Sequence, residues 1–245
     1  MPEIYFDEYR AKHYDADSTD MFAPAVVDPA VSFLADLAGT GAALELGVGT
    51  GRIALPLHAR GVEVHGIDLS AAMVAQLRTK PGAERIAVTI GDFATTRVDG
   101  TFTLAYLVYN TIENLTTQDE QVQCFQNVAA HLEPGGCFVI EVEIPALQRL
   151  PPGETVRPFH VSPHRLGFDE YDVAGQGLIS HHYWTVGGRF ESFSMPFRYV
   201  WPSELDLMAR IAGMRLRERW SDWNRTPFTS ESGKHISVWE KPRPG

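Results

Sequence analysis

Three glycines at alternate positions, Gly47, Gly49 and Gly51, follow the apolar run Leu44-Glu45-Leu46, and Arg52 closes the loop. The next residues, Ile53 to Arg60, suit a helix. Glycine adopts positive φ and admits another molecule close to the backbone. A strand that breaks on such a loop and feeds a helix presents free N–H groups and a positive helix end to a ligand. The chemistry this supports is the binding of a nucleotide-like cofactor. The spacing is G-x-G-x-G, not the G-x-G-x-x-G of dinucleotide sites. Glu45, two residues before the first glycine, suits a cationic ligand better than a pyrophosphate.

Two further acids stand at strand-like ends downstream. Asp68 closes Gly66-Ile67-Asp68-Leu69-Ser70, where its two oxygens can accept both hydroxyls of a ribose. Charge-assisted hydrogen bonds of that kind contribute roughly 1.5–3 kcal/mol. Asp92 in Gly91-Asp92-Phe93 can accept an adenine amino group, with Phe93 near the ring. A fourth apolar run ends in Tyr109-Asn110-Thr111-Ile112-Glu113-Asn114, the polar place for a substrate-facing loop. The bland alternatives are a turn or capping role for Asp68, Ser70 and Asp92, and a core position for Phe93.

The elements that position these residues alternate between strand and helix. Asp28-Pro29 reads as a helix start, Asp capping and Pro in the first turn, running to about Leu37. Strands follow at Ala43–Leu46, Val62–Asp68, Ile86–Gly91, Phe102–Tyr109 and Cys137–Ile144. Helices are expected at Arg52–Ala59, Ser70–Arg78 and Asp119–Leu132. Such alternation predicts βαβ units and a parallel sheet, whose ligands bind outside the carboxyl ends of the strands. After Pro145 the pattern changes to strands without helices: Arg165–Val173, Leu178–Val186 and Arg189–Val200, with Gly187-Gly188 as a hairpin turn. A helix from Trp201-Pro202-Ser203 to about Ala212 and two strands, Met214–Trp223 and His235–Glu240, complete the chain. The organisation read from this is a mobile arm over 1–25, a cofactor-binding core over 26–150, an antiparallel insertion or lid over 151–200, and a return to the core sheet over 201–245.

Composition narrows the partners. The chain has 245 residues and a formal charge of −10, enough length for one large α/β domain with an insertion. A nucleic-acid surface needs a basic stripe, and the nearest candidate, Arg215, Arg217 and Arg219, reads as one solvated strand face. No apolar run reaches the roughly 18 residues that span a bilayer. The opening Met1-Pro2-Glu3-Ile4-Tyr5 lacks the basic and apolar regions of a signal peptide. Cys124 and Cys137 form no CxxC pair and read as buried small hydrophobes in a reducing compartment. We therefore expect a cytoplasmic protein with a small-molecule partner, neither nucleic acid nor membrane, and no metal. The oligomeric state stays open, a homodimer included.

Taken in order, these motifs resemble the class I S-adenosylmethionine (SAM) dependent methyltransferases over about residues 28–145 and the final hairpin. The loop resembles motif I, and Leu132-Glu133-Pro134-Gly135-Gly136 the turn before the fifth strand. The resemblance implies a Rossmann-like, doubly wound, mostly parallel seven-stranded α/β sheet whose last strand is antiparallel, here with an antiparallel β insertion. It implies SAM as co-substrate and S-adenosylhomocysteine as product. Gly47, Gly49 and Gly51 would face its methionine part, Glu45 its ammonium and Asp68 its ribose. Leu69 and Met73 would flank the adenine, and Asp92 and Phe93 would fix its edge. Arg52 and Tyr109 join this cofactor set.

A second resemblance, carried by Tyr14-Asp15 in the arm and by the insertion, is to small-molecule enzymes of secondary metabolism such as sugar N-methyltransferases. Methyl transfer from a sulfonium needs an unprotonated nucleophile, N or O, held in line. Proton acceptors are sought among Tyr14, Glu113, His160, His164, His181 and His182, with Tyr14, Glu113 and His182 as catalytic candidates. His181 and His182 point to opposite faces of a strand, so at most one faces a cavity. The rival readings are a nicotinamide-dependent oxidoreductase, a non-catalytic SAM-binding protein, and SAM used for non-methyl chemistry such as cyclisation of its aminobutyrate chain.

Overall fold

The structure is a computed structural model and describes residues 3–244. A seven-stranded sheet contains β1 (Ala43–Leu46), β2 (Val64–Asp68), β3 (Ala87–Ile90), β4 (Phe102–Leu107), β5 (Leu132–Glu143), β10 (Arg215–Trp220) and β11 (Lys234–Glu240), in the order β10-β11-β5-β4-β1-β2-β3. The pairs from β5 through β4, β1 and β2 to β3 are parallel. β11 lies antiparallel to both of its neighbours. The inner strands β1, β2 and β4 are buried almost throughout because helices cover both faces, although β1 carries Glu45 and β2 ends in Asp68.

One layer is α2 (Pro24–Ala38), α3 (Ala54–Ala59) and α4 (Ala71–Arg78), packed through Phe33, Leu34, Leu57 and Leu77. The other is α5 (Gln118–His131) and α6 (Pro202–Ile211), packed through Phe125, Leu205 and Met208 against Phe138 and Trp239. Each of these fully buried large side chains contributes roughly 1.5–3 kcal/mol of burial free energy.

A separate antiparallel sheet, β6 (Val156–Val161), β7 (Arg165–Asp172), β8 (Gly177–Val186) and β9 (Arg189–Arg198), is ordered β6-β7-β8-β9. Gly187 and Gly188 both adopt positive φ, 57° and 77°, as the predicted two-residue hairpin turn requires. The lid sheet is fastened to the core by a buried node. The Arg198 guanidinium of β9 pairs with Glu204 of α6 at 2.7 Å and donates to the Gln121 side-chain oxygen of α5. The Gln121 amide in turn donates to the carbonyls of Ile112, Leu115 and Arg198 at 3.1–3.3 Å.

Several boundaries depart from expectation. α2 begins at Pro24 with Ala23 as its cap, and Asp28-Pro29 lies inside it; Pro24 supplies the first-turn proline, so the signal at Asp28 is a second one one turn later. β4 stops at Leu107 because Tyr109 and Asn110 turn left-handed, φ 56° and 59°. The Pro134-Gly135-Gly136 stretch runs within β5. β6 was not anticipated; its Pro158 is tolerated because β6 is an edge strand that can lack one N–H. A bulge between Leu216 and Glu218 breaks the expected arginine face. Arg215 pairs with Glu240 and Arg217 reaches Cys137, whereas Arg219 pairs with Asp206 of α6 across the strand. The arm carries α1 (Glu8–Asp17) between two short 3₁₀ turns, and hydrogen bonds tie it to the core. Both cysteines are free and buried.

Candidate active site

Strand order places the carboxyl ends of β5, β4, β1, β2 and β3 side by side. β1 sits between β4 and β2, so the chain reverses its winding at the glycine loop, the place where open α/β sheets bind ligands. Gly47, Gly49 and Gly51 all have positive φ, 73°, 53° and 82°. A Cβ on Gly47 would lie 2.7 Å from Thr111, and one on Gly51 2.3 Å from Leu77. One on Gly49 would meet Met73 Cε at 3.5 Å and the Gly47 carbonyl at 4.0 Å, ordinary contacts. The first and last glycines are thus required by close packing, and the middle one by its positive φ.

Asp68 orders this loop. One carboxylate oxygen accepts the Gly49 N–H at 2.6 Å and the other the Ser70 N–H at 2.8 Å. Burial raises its pKa and the two N–H bonds oppose the rise. Ser70 caps α4, accepting from the Met73 N–H at 3.1 Å, so its capping role holds. Met73 is buried beside Gly49 and Leu69 is half-buried.

Glu45 lies one strand deeper, only 3% exposed. The β1–β4 register sets it beside Tyr106, whose hydroxyl donates to the Glu45 carboxylate at 3.0 Å. Its other neighbour in register, on β2, is Gly66, which offers no side chain. Burial pushes the Glu45 carboxyl up to about 8, against the opposing effects of Tyr106 and Arg52. A buried carboxyl met only by neutral donors, the Tyr106 hydroxyl and the Ala54 backbone, among its described hydrogen bonds is the chemistry an ammonium would complete.

At the third strand end, Asp92 caps its own turn by accepting the Ala94 N–H at 2.8 Å. The Phe93 ring is buried in the core with Leu46 and Ile67. The Phe93 side chain thus takes the core position weighed for it, and its carbonyl accepts the Asn127 amide at 2.9 Å.

The fourth and fifth ends interlock. Glu141 accepts from the Tyr109 N–H at 3.1 Å, the Trp223 indole at 3.1 Å and the Lys234 ammonium at 2.8 Å. The Asn110 side-chain oxygen accepts the Glu143 N–H at 2.8 Å. These bonds hold two consecutive non-glycine residues left-handed, which costs of order 1 kcal/mol or more each. The Tyr109 ring is thereby presented 5.4 Å from the Arg52 guanidinium. A cavity of about 400 Å³ opens there, lined by Met21, Arg52, Tyr109, Asn110, Glu143 and Lys234 among others.

The three catalytic candidates do not converge. Tyr14 on α1 has its hydroxyl pKa raised by burial and by Tyr109, Asp15 and Asp68, with Arg52 opposing, which puts it at the cofactor loops. Glu113, in a 3₁₀ turn after β4, is buried; its pKa stands well above the usual carboxyl range through burial and the nearby Glu143 and Asp169. His182 lies on the lid face with Phe159 and Phe193, its pKa lowered by burial and by Arg165 and Arg10. His181 is on the opposite lid face, stacked on Phe168 and bonded to Ser194. His160 meets only Ser162 of its own hairpin, while His164 lends its carbonyl to Thr185.

The arm and the lid roof this ground. Ser70 Oγ donates to the Phe6 carbonyl at 2.7 Å, Thr50 Oγ1 donates to Asp15 at 2.6 Å, and Lys80 pairs with Asp15 at 2.5 Å. From the arm, Arg10 stacks on Phe193 of the lid at 3.2 Å and Tyr5 meets it at 6.1 Å. Tyr106, Lys80, Glu143 and Asp169 were not foreseen. The strand-end rule would have found Glu143; the other three depend on register or long-range packing.

The family model described as a methyltransferase domain matches residues 43–136. The cypemycin N-terminal methyltransferase of a Streptomyces species is 27% identical over 98% of this chain and 98% of its own. The solved CcbJ methyltransferase of Streptomyces caelestis is 37% identical, with a TM-score of 0.79 over 87% of this chain and 88% of that one. SAM-bound CalS10 from Micromonospora echinaspora, an amino pentose methyltransferase involved in calicheamicin biosynthesis, shares the fold, with 22% identity and a TM-score of 0.67 over 97% and 96%.

Proposed function

This chain belongs to the class I SAM-dependent methyltransferases, and from that premise we propose that it methylates a nitrogen of a small molecule of secondary metabolism. The observation that carries this reading is the roof. Arm and lid touch each other through Arg10, Tyr5 and Phe193 above the strand ends, so an acceptor must be small or a slender chain end. Two relatives with amine acceptors in their names, the N-terminal and the amino pentose enzymes, support nitrogen over oxygen. A net charge of −10 disfavours a polyanionic partner.

In this reading Glu45 pairs with the ammonium of SAM, Gly47, Gly49 and Gly51 border its methionine part, and Arg52 and Tyr109 stand at its carboxylate end. Asp68 holds the ribose, Leu69 and Met73 flank the adenine, and Asp92 meets its edge. SAM supplies an electrophilic methyl group: the carbon–nitrogen bond forms as the carbon–sulfur bond breaks, the bonding pair staying on sulfur. The protein contributes position and dryness: Tyr14 and the arm exclude water from the donor, and the lid confines the acceptor.

The test is incubation with SAM and matched pairs of small amines and hydroxyl isosteres, amino sugars and α-amino amides among them, with S-adenosylhomocysteine and product mass as readouts. The expected result is an N-methyl product from amines. Products from the alcohols alone would refute nitrogen as the target. SAM binding without S-adenosylhomocysteine across the panel would favour a scaffold, and a cyclised by-product would favour non-methyl chemistry.

A further inference from the structure

β3 is an edge of the seven-stranded sheet and only four residues long. The turn that follows it, residues 91–98, therefore has a neighbouring strand on one side alone. The Gly91 N–H donates to the Asp68 carbonyl at 2.9 Å. Beyond it the turn closes on itself: one Asp92 oxygen accepts the Ala94 N–H, and the Asp92 carbonyl accepts from the N–H groups of Thr95 and Thr96. The other Asp92 oxygen is bonded to no described residue. A turn beside an edge strand, closed by local bonds, belongs to the low-stability end of a fold unless another element ties it down.

Here the tie is α5, whose N-terminus is fixed by a capping box of Thr117 and Glu120. Among the described residues, every hydrogen bond that reaches residues 92–98 from another element comes from this helix. Asn127 spends both amide hydrogens there, donating to the carbonyls of Phe93 and Thr96 at 2.9 Å each. One helical turn on, His131 Nε2 accepts the Val98 N–H at 3.1 Å, and its Nδ1 donates to the Asn127 carbonyl at 2.8 Å. These partners define a neutral ring with its proton on Nδ1, and burial keeps the imidazole below its usual pKa. Positions 127 and 131 share one helix face, and both side chains are buried, 4% and 3% exposed. The Asn127 oxygen is left buried without a partner. An apolar residue would fill this core without that penalty, so helix packing alone does not account for the pair. What the pair adds is a fixed turn.

We propose that Asn127 and His131 are positioning residues for the donor: they set the turn after β3 so that Asp92 reads the amino edge of adenine. This rests on the adenine reading of Asp92 above. Asp68 and Ile90 are paired in register at the ends of neighbouring strands, and Gly91 bonds back to the Asp68 carbonyl. The ribose and adenine acceptors therefore share one frame, and only the adenine side hangs from α5. Without the α5 bonds the turn shifts, and a hydrogen bond weakens steeply as its angle opens. Glu45 and the glycine loop lie outside that turn and keep their geometry. Sites of this kind hold their selectivity through the residues that lock the contacting group in place. The pair thus governs how well the protein tells adenine from another purine, and leaves the methyl-transfer step itself alone.

The test measures, by calorimetry on the full chain, affinity for S-adenosylhomocysteine and for S-inosylhomocysteine, which carries a carbonyl in place of the adenine amino group. Wild type should prefer the adenine compound by about tenfold or more, the scale of a hydrogen bond to a charged group. Asp92→Asn, which keeps an acceptor for the turn and offers a donor at the edge, should bring that preference below about threefold. Asn127→Leu and His131→Leu should do the same with Asp92 intact. They should raise KM for SAM about tenfold and leave kcat within about twofold, using the best acceptor of the panel. His131→Gln, which returns an acceptor toward the Val98 N–H, should recover a preference above about fivefold. Asn127→Ser, too short to reach either carbonyl, serves in place of the leucine variant if that protein does not fold. Variants of Asn127 and His131 that keep the wild-type preference overturn the inference while the adenine reading stands. A His131→Gln protein no better than His131→Leu, or variants that lose kcat and Tm along with the preference, mark the pair as structural and also overturn it. A wild type without preference, or an Asp92→Asn protein that retains it, removes the adenine reading and the inference with it.

Discussion

Glu45 is a carboxyl whose partner is missing from the protein itself. With its pKa near 8 against an ordinary 4.5, it holds a proton at neutral pH in the free enzyme. Pairing with the ammonium of SAM favours the ionised form, so binding releases that proton. SAM affinity should therefore climb as pH rises from about 6 to 7.5, approaching roughly tenfold per unit, until an α-amino group titrates near 7.7–8.0. Calorimetry in two buffers of different ionisation heat reads the released proton, and a flat pH dependence would contradict the assignment. For folding the sign is opposite: the residue's stabilising share is complete below pH 4.5 and is lost as pH climbs through about 8. Asp68→Ala should weaken SAM at least tenfold, because it removes both the ribose acceptor and the anchor of the Gly49 N–H. An affinity within threefold of wild type would exclude the ribose role. Glu45 and Asp68 were legible because strand ends in βαβ units announce themselves. Phe93 carried two readings because a core aromatic and a ring-stacking one look alike in sequence, and its ring packs in the core.

The elements were legible where local chemistry is unambiguous. Ala43–Leu46 and the Ser70 cap fall where read. The start of α2 did not, because two helix-start prolines compete within six residues. β6 and the bulge at Arg217 depend on which strand is an edge and which pair slips, and neither is a local property. Contacts between elements were the least readable, and the Arg198 node is their main example. Arg198 and Glu204 are both buried side chains, 6% and 13% exposed. Arg198→Met leaves Glu204 without its cation and the Gln121 side-chain oxygen without its donor, and should cost about 3 kcal/mol, lowering Tm by roughly 6–12 °C in a chain of this size. The exposed pair Arg215–Glu240 is the control: Arg215→Met should change stability by under about 1 kcal/mol. Equal losses for both variants in thermal melts would show that the node is not special.

At the scale of the molecule, the proposed reading has one sheet divide the work by strand order: β1, β2 and β3 end at the cofactor, and the ends of β4 and β5 border the cavity beside it. The arm closes the first half and the lid the second. Asp15 links the arm to the glycine loop through Thr50 and Lys80, so Asp15→Ala should speed SAM release about fivefold in stopped-flow measurements. Its effect on stability should stay under about 1 kcal/mol because the pair is partly exposed; an unchanged release rate would mean that the arm does not gate the donor. This division was only half visible in the sequence, since the contacts of Arg10 and Tyr5 with Phe193 come from tertiary packing alone. The most direct measurement is a crystal structure with S-adenosylhomocysteine bound. The account predicts its amino group against Glu45, its ribose on Asp68, and its sulfur facing the space beneath the contact of Arg10 and Tyr5 with Phe193. A sulfur turned away from that space, toward any other opening, would contradict it.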